Sequence, residues 1–335
     1  MKAAIVVPTI RYPQITKFLK AWECEFEKHS IIVIEDNPER TFDLGFPGIE
    51  HYSWREIDSE LGRDSWIIPR GTDCIRSFGF YKAYQQGVDL TVSLDDDCLP
   101  VEPGFISKHW EMLNSTACSP AWTSTVDGLT PRGVPYFMTR RVLPCILNHG
   151  LWQNVADYDA ITQLHAARQP LSISLLDQVI PRGAYFPMCG MNVAFKTQLT
   201  PAMYFLLMGK DWPFDRFGDI WCGVFVKKIC DHLGHAVTSG HPFVHHERAS
   251  DVWANLRKEA PAYETNETVW QIVDRAILSG DNFGDCYRQL AEQLILVGTY
   301  WAKLRIAMQT WAGLFSRKSN ILNCEFNRVE RIPGS

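Results

Sequence analysis

The chain has 335 residues, of which 46% are hydrophobic and 21% charged, and its formal net charge is -5. This composition is typical of a globular protein of one or two domains, and the lack of a basic patch argues against nucleic acid as a partner. The ten cysteines form no CxxC pair, so we expect no zinc site. No apolar run approaches 18 residues, so we expect no membrane span. We also expect a cytoplasmic location.

The first third of the chain alternates between strand and helix patterns. Buried strands are predicted over 3–9, 31–36 and 90–94, with helices over 13–28 and 75–87. Continuous apolar strands separated by helices predict a parallel sheet that is covered on both faces. Ligands of such sheets bind beyond the carboxyl ends of the strands.

Polar residues follow all three of these strands. The stretch "PTIR" ends the first strand, Asp36 follows the second, and Asp95, Asp96 and Asp97 follow the third. Carboxylates at a strand end are able to hold Mg²⁺ or Mn²⁺ against a diphosphate, since these hard cations prefer oxygen ligands. The alternative is a solvated acidic loop or the first turn of a helix.

The sequence has no GxxxxGK[ST] loop and no GxGxxG after the first strand, which excludes P-loop chemistry and disfavours a dinucleotide fold. A nucleotide-sugar is then the natural diphosphate ligand. The predicted fold class is α/β, with a GT-A-like (Rossmann-like) nucleotide-sugar-binding sheet, helices on both faces and a helical C-terminal segment.

The remainder of the chain divides by composition. The middle, roughly 100–250, is rich in Trp, Pro, Gly and His, and we expect long connections and irregular strands that build a pocket. Apolar residues recur at helical spacing from about 265 to 316. We therefore expect a catalytic domain over 1–260, a helical segment over 261–316 packed on it, and a polar tail over 317–335.

Three further stretches allow two interpretations each. His246 in "HPFVHHERAS" is either a metal ligand that folds back from late in the chain or a structural histidine. Asp219 in "RFGDIWCG" is either a helix N-cap or a carboxylate that binds a sugar hydroxyl. The segment 131–141, "PRGVPYFMTRR", is either a basic pocket loop or an ordinary turn.

Taken together, several motifs resemble the reversibly glycosylated polypeptides, the UDP-arabinopyranose mutase family, in order over about residues 1–315. The motifs are VPTIR (7–11), DDDC (95–98), HGLWQNVADYDAITQL (149–164), FPMCGMNVAF (186–195), PAMYF (201–205), DIWCG (219–223), KKICDHLG (227–234) and AMQTW (307–311). The long motifs are far more specific than an isolated DxD.

The resemblance implies a Mn²⁺- or Mg²⁺-dependent enzyme that interconverts the pyranose and furanose forms of an NDP-sugar. It implies an arginine that is reversibly glycosylated, which matches Arg132, and a second arginine that matches Arg140 or Arg141, with Asp219 as a further catalytic residue. The implied metal ligands are Asp95, Asp97 and His246. The expected substrate-binding residues are Pro8, Thr9, Ile10, Arg11, Asp36, Arg76, Asp95, Asp96, His149, Trp152, Asp157, Cys189, Gly190 and Asn192.

Departures from the family pattern leave the substrate open. The stretch 61–75 and the "EDN" that ends the second strand differ, so a UDP-L-arabinose-type sugar and a GDP-sugar such as GDP-fucose are both considered. The alternative function is a retaining or self-glycosylating glycosyltransferase with an NDP-sugar donor, and a third is a non-catalytic scaffold. We expect a homo-oligomer.

Overall fold

The computed structural model describes residues 1–120, 122, 132–135, 140–165, 177–247 and 251–329, with the side chains of 116, 118–120, 140 and 317–329 excepted. The strands are β1 (Ala3–Thr9), β2 (Ser30–Glu35), β3 (Ile49–Tyr52), β4 (Leu90–Leu94), β5 (Cys98–Pro100), β6 (Thr116–Pro120), β7 (Arg140–Asn154), β8 (Gln178–Val179), β9 (Asn192–Lys196) and β10 (Ala236–His246). The helices are α1 (Tyr12–Phe26), α2 (Trp54–Leu61), α3 (Arg76–Gln85), α4 (Phe105–Asn114), α5 (Ala160–His165), α6 (Gly218–Leu233), α7 (Val252–Arg275), α8 (Phe283–Gln293) and α9 (Thr299–Val329).

The described strands form one mixed sheet in the order β3-β2-β1-β4-β9-β7-β10-β5, with β6 beside β7 and β8 beside β10. Strands β3, β2, β1 and β4 run parallel, and β9 is antiparallel to both β4 and β7. The carboxyl ends of β1, β2 and β4 therefore meet at one edge. This arrangement confirms the predicted α/β fold class.

Both faces of the sheet are covered, because the side chains of a strand alternate between its two faces. On β1, Ala4 and Val6 belong to one buried cluster, which includes residues of α3, α6, α8 and α9. Ile5 and Val7 belong to the other, with Trp22 and residues of α1 and α4. This explains why the predicted strands contain continuous apolar runs.

The predicted elements of the first third agree with the structure to within two residues at each end. One prediction elsewhere is wrong. The predicted start of the C-terminal helices at about 265 is too late, since α7 begins at Val252 and is N-capped by Asp251. This helix continues through Pro261, although proline normally interrupts a helix. The middle region also contains a 15-residue strand, β7, whose pattern is broken by Pro144 and Gly150.

The C-terminal helices pack onto the sheet domain through Tyr287 of α8 and Leu304 and Trp311 of α9, all fully buried in the larger cluster. Helix α9 continues to Val329, beyond residue 316, where the sequence analysis places its end. The division into a catalytic domain, a helical segment and a tail remains a prediction.

Candidate active site

The three aspartates that follow β4 are compensated unequally by two arginines, Arg76 and Arg11. Asp95 accepts a hydrogen bond from Arg76 at 2.5 Å. Asp96 accepts one from Thr9 Oγ1 at 2.6 Å and forms an ion pair with Arg11. The carboxylates of neighbouring residues thus diverge, and two of the three have arginine partners, which reduces the repulsion among them.

Asp97 is the least compensated of the three. Its nearest cationic group, Arg11 Nη2, lies 3.5 Å away and is bonded mainly to Asp96. Burial and the charge of Asp95 raise the pKa of Asp97 to about 6. Burial also favours a raised pKa for Asp95, but the charge of Arg76 outweighs it and lowers that pKa. A carboxylate in the position of Asp97 favours an additional cation.

His246 supplies a suitable nitrogen next to Asp97. Its Nδ1 lies 2.9 Å from the carbonyl oxygen of Val155, which only accepts hydrogen bonds, so Nδ1 carries a proton. In the neutral ring, Nε2 then keeps its lone pair, 3.9 Å from Asp97 Oδ1. Two facing acceptors favour a cation between them, and the backbone bond orients the ring as metal-bound histidines usually require.

The donor set therefore fits a hard divalent cation: two carboxylates, Asp95 and Asp97, and one oriented imidazole, His246. Among the described residues, no three His, Cys, Asp or Glu side chains already stand at ligand distance from a common point.

A cavity of about 210 Å³ opens beside the acidic triplet. Nine of the residues predicted for the site line it: Arg11, Arg76, Asp95, Asp97, Asp157, Cys189, Gly190, Asp219 and His246. They come from the ends of β1, β4 and β10, from the starts of α3 and α6, and from the loops before α5 and β9. Topology thus brings together residues that are far apart in the sequence.

Carboxyl groups also occupy the side of the cavity away from the triplet. Asp219, in the first turn of α6, accepts the Gly190 N–H at 2.9 Å. Burial, with the charges of Asp73 and Asp157, raises its pKa to about 7. Burial also raises the pKa of Asp157, which accepts a hydrogen bond from the Cys189 thiol at 2.7 Å. A group that titrates near neutral pH in a cleft is a candidate acid or base.

Two other predicted residues, Asp36 and Asn192, bond to protein groups and do not line the cavity. Asp36 accepts hydrogen bonds from Trp54 Nε1 and from the backbone N–H groups of Gly71 and Thr72, so it fixes the loop before α3. Asn192 is fully buried and bonded to backbone carbonyls and to His109. The remaining predicted residues that do not line the cavity are Pro8, Thr9, Ile10, Asp96, His149 and Trp152.

The three predicted arginines of segment 131–141 are not in the described lining. Arg132 is exposed and belongs to the short described stretch 132–135, and Arg141 is exposed on β7 opposite Ser119. The side chain of Arg140 lies outside the described residues, as do 123–131 and 136–139. Their catalytic roles stay predictions.

Sequence reasoning missed two charged lining residues, Asp73 and Arg216. Arg216 has the clearest chemistry, since it is a cation with a left-handed backbone (φ 62°) and a bond to Glu259 of α7. Its neighbourhood, "FDRFGD", looks like an ordinary polar loop, and Glu259 is 43 residues further along the chain. The sequence offers no signal for this pairing.

A larger cavity, of about 310 Å³, lies between the loop 182–185, helix α6 and the residues that follow α7. None of the predicted site residues lines it. Its buried cation, Lys227, is already paired with Asp231 at 2.7 Å. Volume alone does not identify a site, and the chemistry points to the smaller cavity.

The fold and the strand-end site define the class, an α/β protein with a mixed sheet and an acidic triplet after β4. The chain belongs to the reversibly glycosylated polypeptide family, whose model matches residues 2–320. "Probable UDP-arabinopyranose mutase 1" of Pisum sativum is 34% identical over 339 residues, covering 94% of this chain and 91% of that protein. "UDP-arabinopyranose mutase 3" of Arabidopsis thaliana is 34% identical over 331 residues, covering 92% and 89%.

Among solved structures, glucosyl-3-phosphoglycerate synthase of M. tuberculosis matches with a TM-score of 0.44 and 13% identity, covering 89% of this chain and 82% of that chain. This likeness is too distant to add to what the sheet and the family establish. None of the described helices combines the length and apolar character that crossing a membrane requires.

Proposed function

We propose that this protein is a metal-dependent nucleotide-sugar mutase that interconverts the pyranose and furanose forms of an NDP-sugar, with UDP-L-arabinose as the first candidate. The observation that carries the proposal is membership of the reversibly glycosylated polypeptide family over residues 2–320, with relatives named UDP-arabinopyranose mutases. The cavity after β4 supports it, because acids for a metal and arginines for a diphosphate meet there.

Asp95, Asp97 and His246 would hold the Mn²⁺ or Mg²⁺ ion. When bound, such an ion neutralises phosphate charge and stabilises a leaving diphosphate. The unmatched charge of Asp97 and the lone pair of His246 Nε2 support this assignment.

The chemistry of ring contraction dictates the remaining steps. The sugar ring of an NDP-sugar is unable to open while the diphosphate occupies the anomeric carbon, so the bond from that carbon to the phosphate oxygen breaks, and its electron pair stays on the diphosphate. A nitrogen of Arg132 then bonds to the anomeric carbon, which makes the arginine a covalent catalyst. In the N-glycoside, the bond from the anomeric carbon to the ring oxygen breaks as the nitrogen forms an iminium, and that oxygen takes up a proton. The 4-hydroxyl then adds to the anomeric carbon, loses its proton and closes the five-membered ring.

The arginine has to lose a proton to act in this way, because a guanidinium is protonated at neutral pH and is a weak nucleophile. Asp219 is proposed as the base that accepts this proton and later returns it. Its raised pKa of about 7 suits a group that exchanges a proton in both directions. When the diphosphate attacks the anomeric carbon again, the bond to nitrogen breaks and the isomeric NDP-sugar forms.

The experiment that tests the function and its substrate is a panel. Purified protein with MnCl₂ is incubated with UDP-arabinopyranose, other UDP-pentoses and GDP-deoxyhexoses including GDP-fucose, and the products are separated by chromatography. We expect an isomeric NDP-sugar from UDP-arabinopyranose. Isomerisation of a GDP-sugar alone would reassign the substrate, and no isomer from any donor would reject the mutase.

A further inference from the structure

The cavity contains three arginines, and two of them are already engaged. Arg76 donates to Ser93 Oγ, to the carbonyl oxygens of Asp73 and Gly190, and to Asp95. Arg11 lies against Asp96 and Asp97. Neither guanidinium is available to a ligand without giving up a protein partner.

Arg216 differs from both. Its Nε donates to Glu259 Oε1 at 3.0 Å, and in the described part of the chain its two terminal nitrogens have no protein partner. About a third of its side chain is exposed, at the wall of the cavity. Among the described residues, no carboxylate of the cavity stands within ion-pair distance of Arg216, although the charges of Asp73 and Asp157 raise the pKa of its guanidinium from further away.

The orientation of Arg216 is fixed by a buried anchor. Glu259 is 2% exposed, and its other carboxylate oxygen accepts the Ala160 N–H and the Tyr263 hydroxyl, each at 2.7 Å. Three donors, at least one on each oxygen, bond to this buried carboxylate and leave it little freedom to move. It therefore holds the guanidinium by one edge and leaves the other edge free.

The backbone conformation of Arg216 also supports a functional role for this residue. Its φ of 62° lies in the left-handed region, which is unfavourable for a residue with a long side chain. Such a conformation persists when the surrounding structure imposes it, and it is concentrated at functional sites. The strain and the anchored free edge are independent observations on one side chain.

We infer that Arg216 binds the terminal phosphate of the nucleoside diphosphate and holds it while the sugar is detached, with Glu259 as the positioning residue. This inference rests on the proposed function. The planar guanidinium matches two phosphate oxygens, whereas the nearby Asp73, Asp157 and Asp219 suit sugar hydroxyl groups. A mutase has a particular need for such a contact, because the diphosphate that leaves has to return to the same sugar.

The test compares nucleotides that differ by one phosphate. Calorimetry measures the affinity of wild type, Arg216→Asn, Arg216→Lys and Glu259→Gln for UDP and UMP, and for GDP and GMP, with MnCl₂. Asparagine is chosen because it tolerates the left-handed region, and circular dichroism checks that each variant is folded. Arg275→Gln is the matched control, since Arg275 is exposed in the last turn of α7 and lines neither cavity.

Arg216→Asn is expected to weaken diphosphate binding by about 10- to 100-fold, the scale of a lost charged hydrogen bond, and to leave monophosphate binding unchanged. Arg216→Lys recovers part of the loss, and Glu259→Gln shows a smaller loss of the same kind. Equal losses for diphosphate and monophosphate, or no loss, overturn the inference. If Arg216→Asn does not fold, Arg216→Lys and Glu259→Gln test the inference in the same way, by the loss of diphosphate affinity compared with the loss of monophosphate affinity.

This readout needs no turnover, so it separates the inference from the proposed function. A wild-type protein that binds UDP through Arg216 but forms no isomer refutes the mutase and leaves the phosphate contact standing. With an active mutase, Arg216→Asn should also release free nucleotide and free sugar at a higher ratio to isomer than wild type does. An unchanged ratio contradicts the holding role.

Discussion

Asp97 Oδ1 and His246 Nε2 lie 3.9 Å apart, although one residue follows β4 and the other ends β10. The cause is the antiparallel pairing of β5 with β10, in which Cys98 is the register partner of His246. Since Asp97 directly precedes Cys98, any chain with this register brings the aspartate and the histidine together. The metal site proposed here is therefore a consequence of strand pairing.

Removing either of these two ligands should weaken metal binding. We expect Asp97→Asn and His246→Gln each to lower Mn²⁺ affinity by at least about 10-fold, because even residues that only support metal ligands are worth 10- to 100-fold. Electron paramagnetic resonance of free Mn²⁺ measures this without turnover, and Asp211→Asn, an exposed change, is the control. Full activity in EDTA, or unchanged Mn²⁺ affinity of Asp97→Asn, contradicts the site.

Loss of the covalent arginine should abolish turnover and spare binding. We expect Arg132→Ala to lower kcat by at least about 10³-fold, the scale on which removing a covalent catalyst acts, with UDP affinity unchanged. Lysine should not restore activity, because it is a point charge of different reach. If Arg132→Ala turns over normally and Arg140→Ala or Arg141→Ala does not, the covalent role moves to that residue.

The proposed base predicts a pH dependence. Asp219 has to be ionised to accept a proton, and its pKa is raised to about 7, so kcat should increase as the pH rises through about 7. Asp219→Asn should be slower and should lose this increase. Initial rates between pH 5.5 and 8.5 measure this dependence of kcat on pH. If Asp219→Asn shows the same increase of kcat with pH as wild type, another group is responsible.

Two buried histidines predict an acid-sensitive fold. Burial lowers the pKa of His149 to about 4 and of His109 to about 3, from 6.5. Between these values and 6.5 the unfolded chain binds protons that the folded chain does not, so stability is complete above pH 6.5 and falls as the pH drops. Each histidine accounts for a loss on the order of a few kcal/mol.

Urea unfolding at pH 7.5, 6 and 5 measures this loss. His109→Gln should lose less stability than wild type between pH 7.5 and 5, while His165→Gln, an exposed control, should behave as wild type. Equal acid sensitivity of wild type and His109→Gln would show that carboxylates alone set the profile.

The parallel half of the fold follows from the sequence because its signals are local. The strands 3–9 and 90–94 are mainly apolar and are buried on both faces, and polar residues follow each of them, so both the sheet and the edge that carries the site are predictable. Asp95 and Asp97 could be named for the same reason, whereas Asp219 was named from its place at the start of an apolar helix and from the family motif. The family motifs supplied His246.

The remainder of the site depends on contacts that leave no local pattern. Asp36 and Asn192 carry polar side chains typical of ligand binding, yet their bonds go to backbone groups and to buried side chains. No local sequence pattern indicates Arg216, because its partner Glu259 lies 43 residues further along the chain, in α7. The early start of α7 was missed since Pro261 weakens the helical pattern of its first half.

The central claim is that the sugar leaves the diphosphate and returns to it within one enzyme. Purified protein with MnCl₂ and no acceptor, started separately from UDP-arabinopyranose and from UDP-arabinofuranose, is followed by chromatography to constant composition. We predict that both reactions reach the same mixture, in which the less strained pyranose dominates and free sugar accumulates only slowly. Free UDP with stoichiometric transfer of the sugar to an added acceptor, and no isomeric UDP-sugar from either start, would contradict the account.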